Sequence, residues 1–425
     1  MFKILRLAIK NLLRYKRRTI LTGLLIVVGV VAMIVFSGLS GSFKQAIVGQ
    51  ITDSVLSHMQ VHRKGYMASI DNLPLDRMIP SKAFEKLEGL FAEMEGIEAY
   101  SPRIRFGAML SNYTQTTNVR LNGIDPEKER MTVPLLASRI KDAAHDDVLI
   151  KPGEVLLPEI MAKGMNLKTG DTVVLVANNK DGSVNGMNFI VAGIVESLMG
   201  PGGRDGYLHI DDSVALLRME AAEVSEVAIR VRDFGSLKAV AGQLNDLTAP
   251  LTNKQGGAMF ELHTWEQLTP FYNIVRMIDI MTLGIRVILI AVVLISVLNV
   301  MMMSVYERVR EIGTLAAMGT RPGRIMALFV AEGICLGLGG ALAGSAMGAG
   351  MLWIMNLTGV DVTFGGNNQV FTLAPTISPT ELGLTCLIVL GVSVLASLQP
   401  AAKAAGLEPV RPCAMCNSFK IWRLS

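Results

Sequence analysis

LGIRVILIAVVLISVLNVMMMSVYERVREIGTLAAMG, running from Leu283 to Gly319, decides how this chain is read. Its first part, Leu283 to Val305, is nearly continuous in apolar side chains. It has the roughly 17–25 residues that carry a helix across a ~30 Å hydrocarbon core. Its second part, Glu307 to Gly319 (ERVREIGTLAAMG), turns charged at once. The spacing predicts a short amphipathic helix with no evident task unless a partner lies beneath it.

Three more apolar runs accompany this one, at about Ile20 to Leu39, Leu328 to Trp353 and Leu382 to Leu398. Over 425 residues the chain is 51% hydrophobic and 18% charged, too apolar for an ordinary soluble protein and too polar for a bundle throughout. The first and last runs hold no ionisable side chain. The second has only Arg286, near one end where it can snorkel, and the third only Glu332, near its entry. The first run is too long for the 7–15 apolar residues of a cleaved leader and no A-x-A-like site follows it, so it reads as a retained anchor.

Lys and Arg in the short flanks set the orientation. Lys3, Arg6, Lys10, Arg14, Lys16, Arg17 and Arg18 precede the first span. Arg308, Arg310, Arg321 and Arg324 lie between spans two and three, and Lys403, Arg411, Lys420 and Arg423 follow span four, whereas Asn356 to Thr380 has none. Both termini are therefore placed in the cytoplasm of a multi-pass inner (plasma) membrane protein. The fold class is four transmembrane α-helices with a large α+β extracytoplasmic domain between spans one and two. The segments are a basic amphipathic helix at 1–18, span one at 19–41, the extracytoplasmic domain at 42–270, a stalk and span two at 271–306, a cytoplasmic helix at 307–324, span three at 325–355, an outer loop at 356–380, span four at 381–402 and a cytoplasmic tail at 403–425.

The net charge of +4 reflects that basic rim and calls for no nucleic acid. Leu5, Ile9, Leu12 and Leu13 among the first basic residues suit a helix resting on anionic membrane lipids. Cys335 and Cys386 fall in spans and read as small packers. Cys413 and Cys416 form a CxxC without a second pair, which reads as a tail with two thiols.

In the outward region, strands are predicted at Val55–His62, within Ile104–Asp125, and at Glu154–Leu157, Thr172–Ala177, Phe189–Val195 and Glu226–Val231. Helices are predicted at Pro80–Met94, where Phe84, Leu87 and Phe91 share a face, at Glu159–Met165, and through Leu217 with Asp211 or Asp212 as cap. A helix from Thr264 to Arg286, with Trp265, Leu268, Ile274 and Ile278 on one face, is expected to run straight into span two as a stiff stalk. Gly333, Gly337, Gly340, Gly344 and Gly348 give span three a small-residue face for close helix packing, within one chain or across a dimer.

Catalytic chemistry is not evident. G-x-x-x-x-G-K-[ST] is absent, and Gly200 to Gly206 reads as a turn, so ATP, if used, is bound by another polypeptide. His58 and His62 are four apart but lie in an extended segment without a metalloprotease Glu, and His145, His209 and His263 are isolated. No catalytic, cofactor or metal residue is assigned. The spans have almost no ionisable group at mid-depth, Asn299 being their most polar exception, and so do not read as lining a wet pathway.

Glu307-Arg308-Val309-Arg310-Glu311-Ile312-Gly313 through Ala317-Met318-Gly319, then Phe329 and Glu332-Gly333, resemble the "ER-x-REIG-x-x-x-A-x-G … F … EG" pattern of MacB/FtsX-like ABC transporter permeases, the type that includes the LolC and LolE lipoprotein-releasing subunits. Gln399-Pro400-Ala401-Ala402-Lys403-Ala404-Ala405 with Glu408-Pro409-Val410 resembles the family's close of span four. Gly123-Ile124-Asp125-Pro126 and Leu167-Lys168-Thr169-Gly170-Asp171 are weaker matches. The resemblance implies a non-catalytic permease subunit that pairs with a second permease chain, as homo- or heterodimer, and with cytoplasmic ABC ATPase subunits holding ATP and Mg. Closure of the ATPases would push on Glu307–Gly319 as a coupling helix, and stalks would carry the motion to the outer domains. There a lipoprotein cargo or periplasmic carrier is handled without crossing the membrane. Glu307, Arg308, Arg310 and Glu311 would supply contacts to the ATPase, with Gly313 allowing close approach and Gly319 ending the helix. Glu332-Gly333 stands where lipoprotein-releasing members carry Gln-Gly, an exporter-like trait. The chain's size, the absence of a fused ATPase and the His58-Met59-Gln60-Val61 stretch lie nearer the lipoprotein-releasing subunits. The alternatives in view are an FtsX-like signalling subunit that activates an envelope hydrolase, and a peptide or drug efflux permease.

Overall fold

The computed structural model describes residues 2–14, 16–145, 147–196, 204–253, 256–363 and 370–406. Cys413, Cys416, Glu408–Val410 and Gly200–Gly203 lie outside the described residues. In chain order, α1 (Phe2–Arg14) and α2 (Lys16–Ile51) come first. They are followed by β1 (Met59–Arg63), α3 (Ser81–Glu93), β2 (Ile97–Ser111), β3 (Thr116–Ile124), α4 (Pro126–Thr132), β4 (Ile140–Lys141), β5 (Glu154–Pro158), α5 (Glu159–Gly164), β6 (Thr172–Asn178), β7 (Val184–Val195), β8 (Asp205–His209), α6 (Ile210–Leu216), β9 (Glu226–Val231), α7 (Leu237–Thr248), β10 (Phe260–Thr264) and α8 (Trp265–Leu268). Then come α9 (Phe271–Glu307), α10 (Val309–Ala317), α11 (Pro322–Thr358), a hairpin of β11 (Val360–Thr363) and β12 (Val370–Leu373), and α12 (Pro379–Ala405). Two compact units result: Met1–Ala46 with Arg276–Ser425, and Ile47–Val275.

In the Ile47–Val275 unit, the long strand β2 belongs to two sheet systems. Its second half pairs with β3 on one side and β6 on the other, and β3–β8–β5–β7–β6 completes the circuit, so six strands close into a ring. The ring strands share a core that includes Phe106, Leu110, Leu121, Val155, Leu175, Phe189 and Leu208. Its first half, Ile97 to Arg103, pairs instead with β9, which pairs with β1 and then β10 in an open antiparallel arm. A second core covers that arm with Leu87 and Phe91 of α3 and Val240 and Leu244 of α7. The predicted face of α3 is thus buried, because residues four apart on a helix point the same way.

A buried ionic chain sits where β2 passes between the two cores. Arg103 donates to Glu129 at 2.7 and 3.1 Å and to Glu226 at 3.1 Å. Arg105 donates to Glu226 at 3.2 Å, and Arg120 lies 2.8 Å from Asp205. Arg105 also lies 3.8 Å from Asp205, so three guanidinium and three carboxylate groups alternate from buried Glu129 to half-exposed Arg120, and charge balance makes the burial of the inner ones tolerable. Burial alone would push the Glu226 carboxyl up. Arg105, His62 and Arg103 together outweigh it and hold the carboxyl well below the usual range. The same carboxylate adds to burial in pushing the Tyr66 phenol up to about 12.

Several local expectations are corrected. The strand predicted from Val55 begins at Met59, because Thr52–Leu56 forms a π turn. The cap of α6 is His209, whose Nδ1 accepts from the Asp211 N–H at 3.3 Å. Asp212 instead accepts from Gly153 N–H at 2.7 Å. His58 Nδ1 accepts from Val231 N–H at 3.0 Å, and His62 stacks on Tyr66.

The stalk expectation is also revised. The helix predicted from Thr264 is broken at Thr269-Pro270. A proline lacks the N–H and disfavours helical backbone in the residue before it, and Thr269 is extended at φ −138°, ψ 139°. Trp265, only 4% exposed, belongs to the second core, and Leu268 ends the short α8. Ile274 and Ile278 lie on α9, where Ile274 is exposed and Val275 is the buried residue. From Phe271 on, α9 is one helix of 37 residues. At ~1.5 Å per residue it is far longer than the ~30 Å hydrocarbon layer.

If the alternating chain holds the two cores together, Glu226→Ala, which leaves Arg103 and Arg105 buried without their shared partner, will cost about 3–5 kcal/mol. Glu226 is depressed in the folded state, so its contribution is full above the ordinary glutamate value of about 4.3 and fades as pH falls below it toward the lower folded value. Unfolding of the detergent-solubilised protein across this pH range should show that loss, and Glu226→Gln should flatten it.

Candidate coupling site

The charged stretch quoted at the outset forms a helix set between two apolar ones. α9 stops at Glu307 because Arg308 leaves helical geometry (φ −106°, ψ 15°), and α10 starts at once. Gly319, at φ +81°, ends it: Gly319 N–H bonds to Ala316 O at 3.0 Å and Thr320 N–H to Leu315 O at 3.1 Å, the paired bonds of a Schellman turn. Pro322 then opens α11 at its first position, where its missing N–H costs nothing.

This short helix has two different sides. Glu307, Arg310, Glu311 and Thr314 are exposed, as are Tyr306 and Met318 beside them, while Ile312 and Gly313 are buried. Arg14 of α1 reaches Glu311 at 3.8 Å, an exposed pair of the kind that contributes about 0–1 kcal/mol. Arg308 is placed apart from the other charges of the motif. It is 5% exposed and turned inward, with Nη1 donating to Glu332 Oε1 at 2.8 Å. Asn11 of α1 donates from Nδ2 to the same oxygen at 2.8 Å, and its carbonyl lies 3.5 Å from Arg308 Nη2. Three elements, α1, the α9–α10 junction and α11, therefore meet at one buried carboxylate that is 1% exposed.

Five of the eight glycines of α11, Gly333, Gly337, Gly340, Gly344 and Gly348, form one stripe that meets two helices in succession. A Cβ at Gly333 would lie 2.6 Å from Ser397 Cβ, and Gly337 likewise abuts Ser393, both on α12. Those hydroxyls donate back to their own helix, Ser393 to Val389 O and Ser397 to Val394 O, so their protons are already used where they meet α11. Gly340, Gly344 and Gly348 receive Ile26, Val30 and Ile34 of α2. The small face thus packs within this chain. Towards the other end of α2 the ties are polar: Ser37 accepts from Arg286 at 3.0 Å and Lys44 pairs with Asp279 at 2.9 Å. In the sheet unit, a cleft of about 950 Å³ is lined by exposed Met109, Ile160 and Val184 together with Asn118 and Arg120.

Residues 19–247 match the MacB-like periplasmic core domain family and residues 283–409 the FtsX-like permease C-terminal family. This chain belongs to the MacB/FtsX-like family of ABC transporter permeases. The lipoprotein-releasing system transmembrane protein LolC of Neisseria meningitidis is 25% identical over 90% of this chain and 91% of its own. The ABC transporter permease YknZ of Bacillus subtilis is 24% identical over 96% and 97%. The macrolide export ATP-binding/permease protein MacB of Bdellovibrio bacteriovorus is 23% identical over 93% of this chain but 59% of its own. Among solved structures, the extracellular domain of a YknZ transporter covers 48% of this chain at 12% identity, with a TM-score of 0.31. The permease is thus a multi-pass membrane protein whose mixed-sheet domain lies between its first and second spans.

The sequence pattern of this permease did not pair Arg308 with Glu332 or bring Asn11 to them. The available signal was that Glu332 is the single acidic residue of its span and needs a cation, but Arg321 and Arg324 lie nearer along the chain than Arg308, so sequence distance does not single Arg308 out.

The glycine stripe gives a direct test. A Cβ at Gly344 would sit 2.7 Å from Val30 Cβ and 3.1 Å from the Val27 carbonyl, and a backbone carbonyl cannot swing aside. Gly344→Ala should destabilise the helical unit by about 1–3 kcal/mol, read as a lower midpoint of thermal unfolding in detergent. Gly350→Ala, at a glycine with open space around it, should not.

Proposed function

We propose that this permease works as a mechanical transmitter in an ATP-driven complex, without catalysing a reaction or binding a cofactor itself. A separate ABC ATPase, carrying ATP and Mg, docks on the exposed side of α10. Glu307, Arg310 and Glu311 make charge-assisted contacts there, whereas Gly313, expected to let the ATPase approach closely, lies on the buried side and takes no part in that surface. The observation that carries this reading is the division of α10 into a solvent-facing charged side and an anchored inner side, in a family whose members are ABC transporter permeases. The Lys/Arg excess at both termini and around α10 supports a cytoplasmic location for all three in a cell inner membrane, and an extracytoplasmic one for the sheet domain.

Nucleotide-driven closure moves α10. The motion reaches the sheet domain through α9, whose unbroken length acts as the stalk. Cargo is met at that domain and does not pass between the spans, whose apolar composition gives it no polar lining. The cleft beside Met109 and Ile160 suits an amphiphilic cargo. The cargo step is lipoprotein release or envelope export; similarity to the lipoprotein-releasing LolC over 90% of this chain supports it. A second permease chain, identical or related, completes the complex.

Two experiments test this. Glu311→Lys reverses a charge on the docking side and should abolish co-purification of the ATPase, leaving membrane insertion and topology intact; full recovery of ATPase with the variant refutes the docking surface. R310C, in a background with the native cysteines replaced, should stay unlabelled by an impermeant maleimide in intact cells and react once the membrane is opened. Labelling from outside would reverse the topology and end the proposal.

A further inference from the structure

The side chain of Arg308 is buried and turned inward, apart from the exposed Glu307, Arg310 and Glu311 of the docking surface. Glu332 Oε1 accepts from Arg308 Nη1 and from Asn11 Nδ2, each at 2.8 Å, and the groups come from three separate elements. Arg308 is also the residue at which the helical backbone breaks, so its side chain and the joint share one position in the chain. Inside a low-dielectric setting an ion pair with a second hydrogen bond to the same oxygen resists separation, because parting it strands a charge. A joint cross-tied at its own pivot resists bending as well as sliding.

We infer that Glu332 is a positioning residue that clamps the α9–α10 joint to α11 and to the N-terminal helix α1, so that a push on α10 displaces all three together. α1 thereby becomes part of the transmission in addition to a membrane-surface anchor: Arg14 touches Glu311 from the same helix that supplies Asn11. This rests on the proposed docking of an ATPase on α10 and assigns the path by which the force leaves that helix. Without the clamp, the joint at Arg308 would absorb the movement by bending, and hydrolysis would continue without motion in α9.

The test uses the full chain assembled with its ATPase, with Cys335, Cys386, Cys413 and Cys416 replaced by serine and an environment-sensitive fluorophore placed by M277C on the exposed face of α9. The parent complex should bind the ATPase, hydrolyse ATP, and change its fluorescence on addition of ATP with vanadate. Glu332→Ala should retain the ATPase and hydrolysis within about twofold while the fluorescence response falls at least about fivefold, since the lost tie is a buried one. Arg308→Ala should lose the response similarly, and the Glu332→Ala/Arg308→Ala double variant should be no worse than either single, as residues acting through one contact are not additive. Asn11→Ala, a milder change that leaves the ion pair in place, keeps the test open should the charge-removing variants fail to assemble, and its response should fall by a smaller factor. Glu332→Gln, which preserves an acceptor for both donors, should restore part of the response. An undiminished response in Glu332→Ala, or in Asn11→Ala where only that variant assembles, overturns the inference. Failure of the parent chain to hold an ATPase at all would instead overturn the docking proposal.

Discussion

Hydrocarbon cannot hydrogen-bond, and the arrangement of this permease depends on that constraint. Four segments satisfy their backbone groups as helices, and all four are longer than the apolar layer needs. Several charges of the helical unit are tied to another helix: Arg286 to Ser37, Lys44 to Asp279, Arg308 to Glu332. Close approach elsewhere comes from glycine, because lipid tails give two helices no hydrophobic reason to meet. Small residues on α11 let Ile26, Val30 and Ile34 seat against its backbone.

Two buried ionic clusters illustrate different uses of the same physics. In the sheet domain three arginines and three acids alternate where β2 leaves one core for the other, and the chain is internally neutral. At the α9–α10 joint a single pair does the equivalent with an asparagine as third member. Each cluster joins elements distant in sequence: Glu129, Glu226 and Asp205 come from α4, β9 and β8, and Asn11 and Glu332 are separated by most of the chain. A hydrophobic contact tolerates sliding, whereas a paired charge does not.

The helical spans and several strands were legible in the sequence because they follow single periodicities. Glu226–Val231 and Thr172–Ala177 are β-branched runs that become β9 and β6, and the face of α3 followed from Leu87 and Phe91. The charged segment after span two was legible through its motif and its amphipathic spacing. What the sequence concealed was long-range or local chemistry without a period. The stalk was drawn through Pro270 because Trp265 and Leu268 continue a helical spacing, while the proline's missing N–H decided otherwise. His209 took the cap expected of Asp211 or Asp212 because Asp212 was drawn to Gly153, a contact no linear reading contains. The inward turn of Arg308 depended in the same way on an acid on another helix.

The doubled role of β2 sets how the sheet domain must come apart. Its first half is held by β9 and its second by β3 and β6, so neither core can open without stripping a strand from the other. Two cores that share a backbone in this way melt as one cooperative unit, not as a pair of independent modules. A load applied to such a domain spreads through the continuous strand, which lets it move as a rigid body.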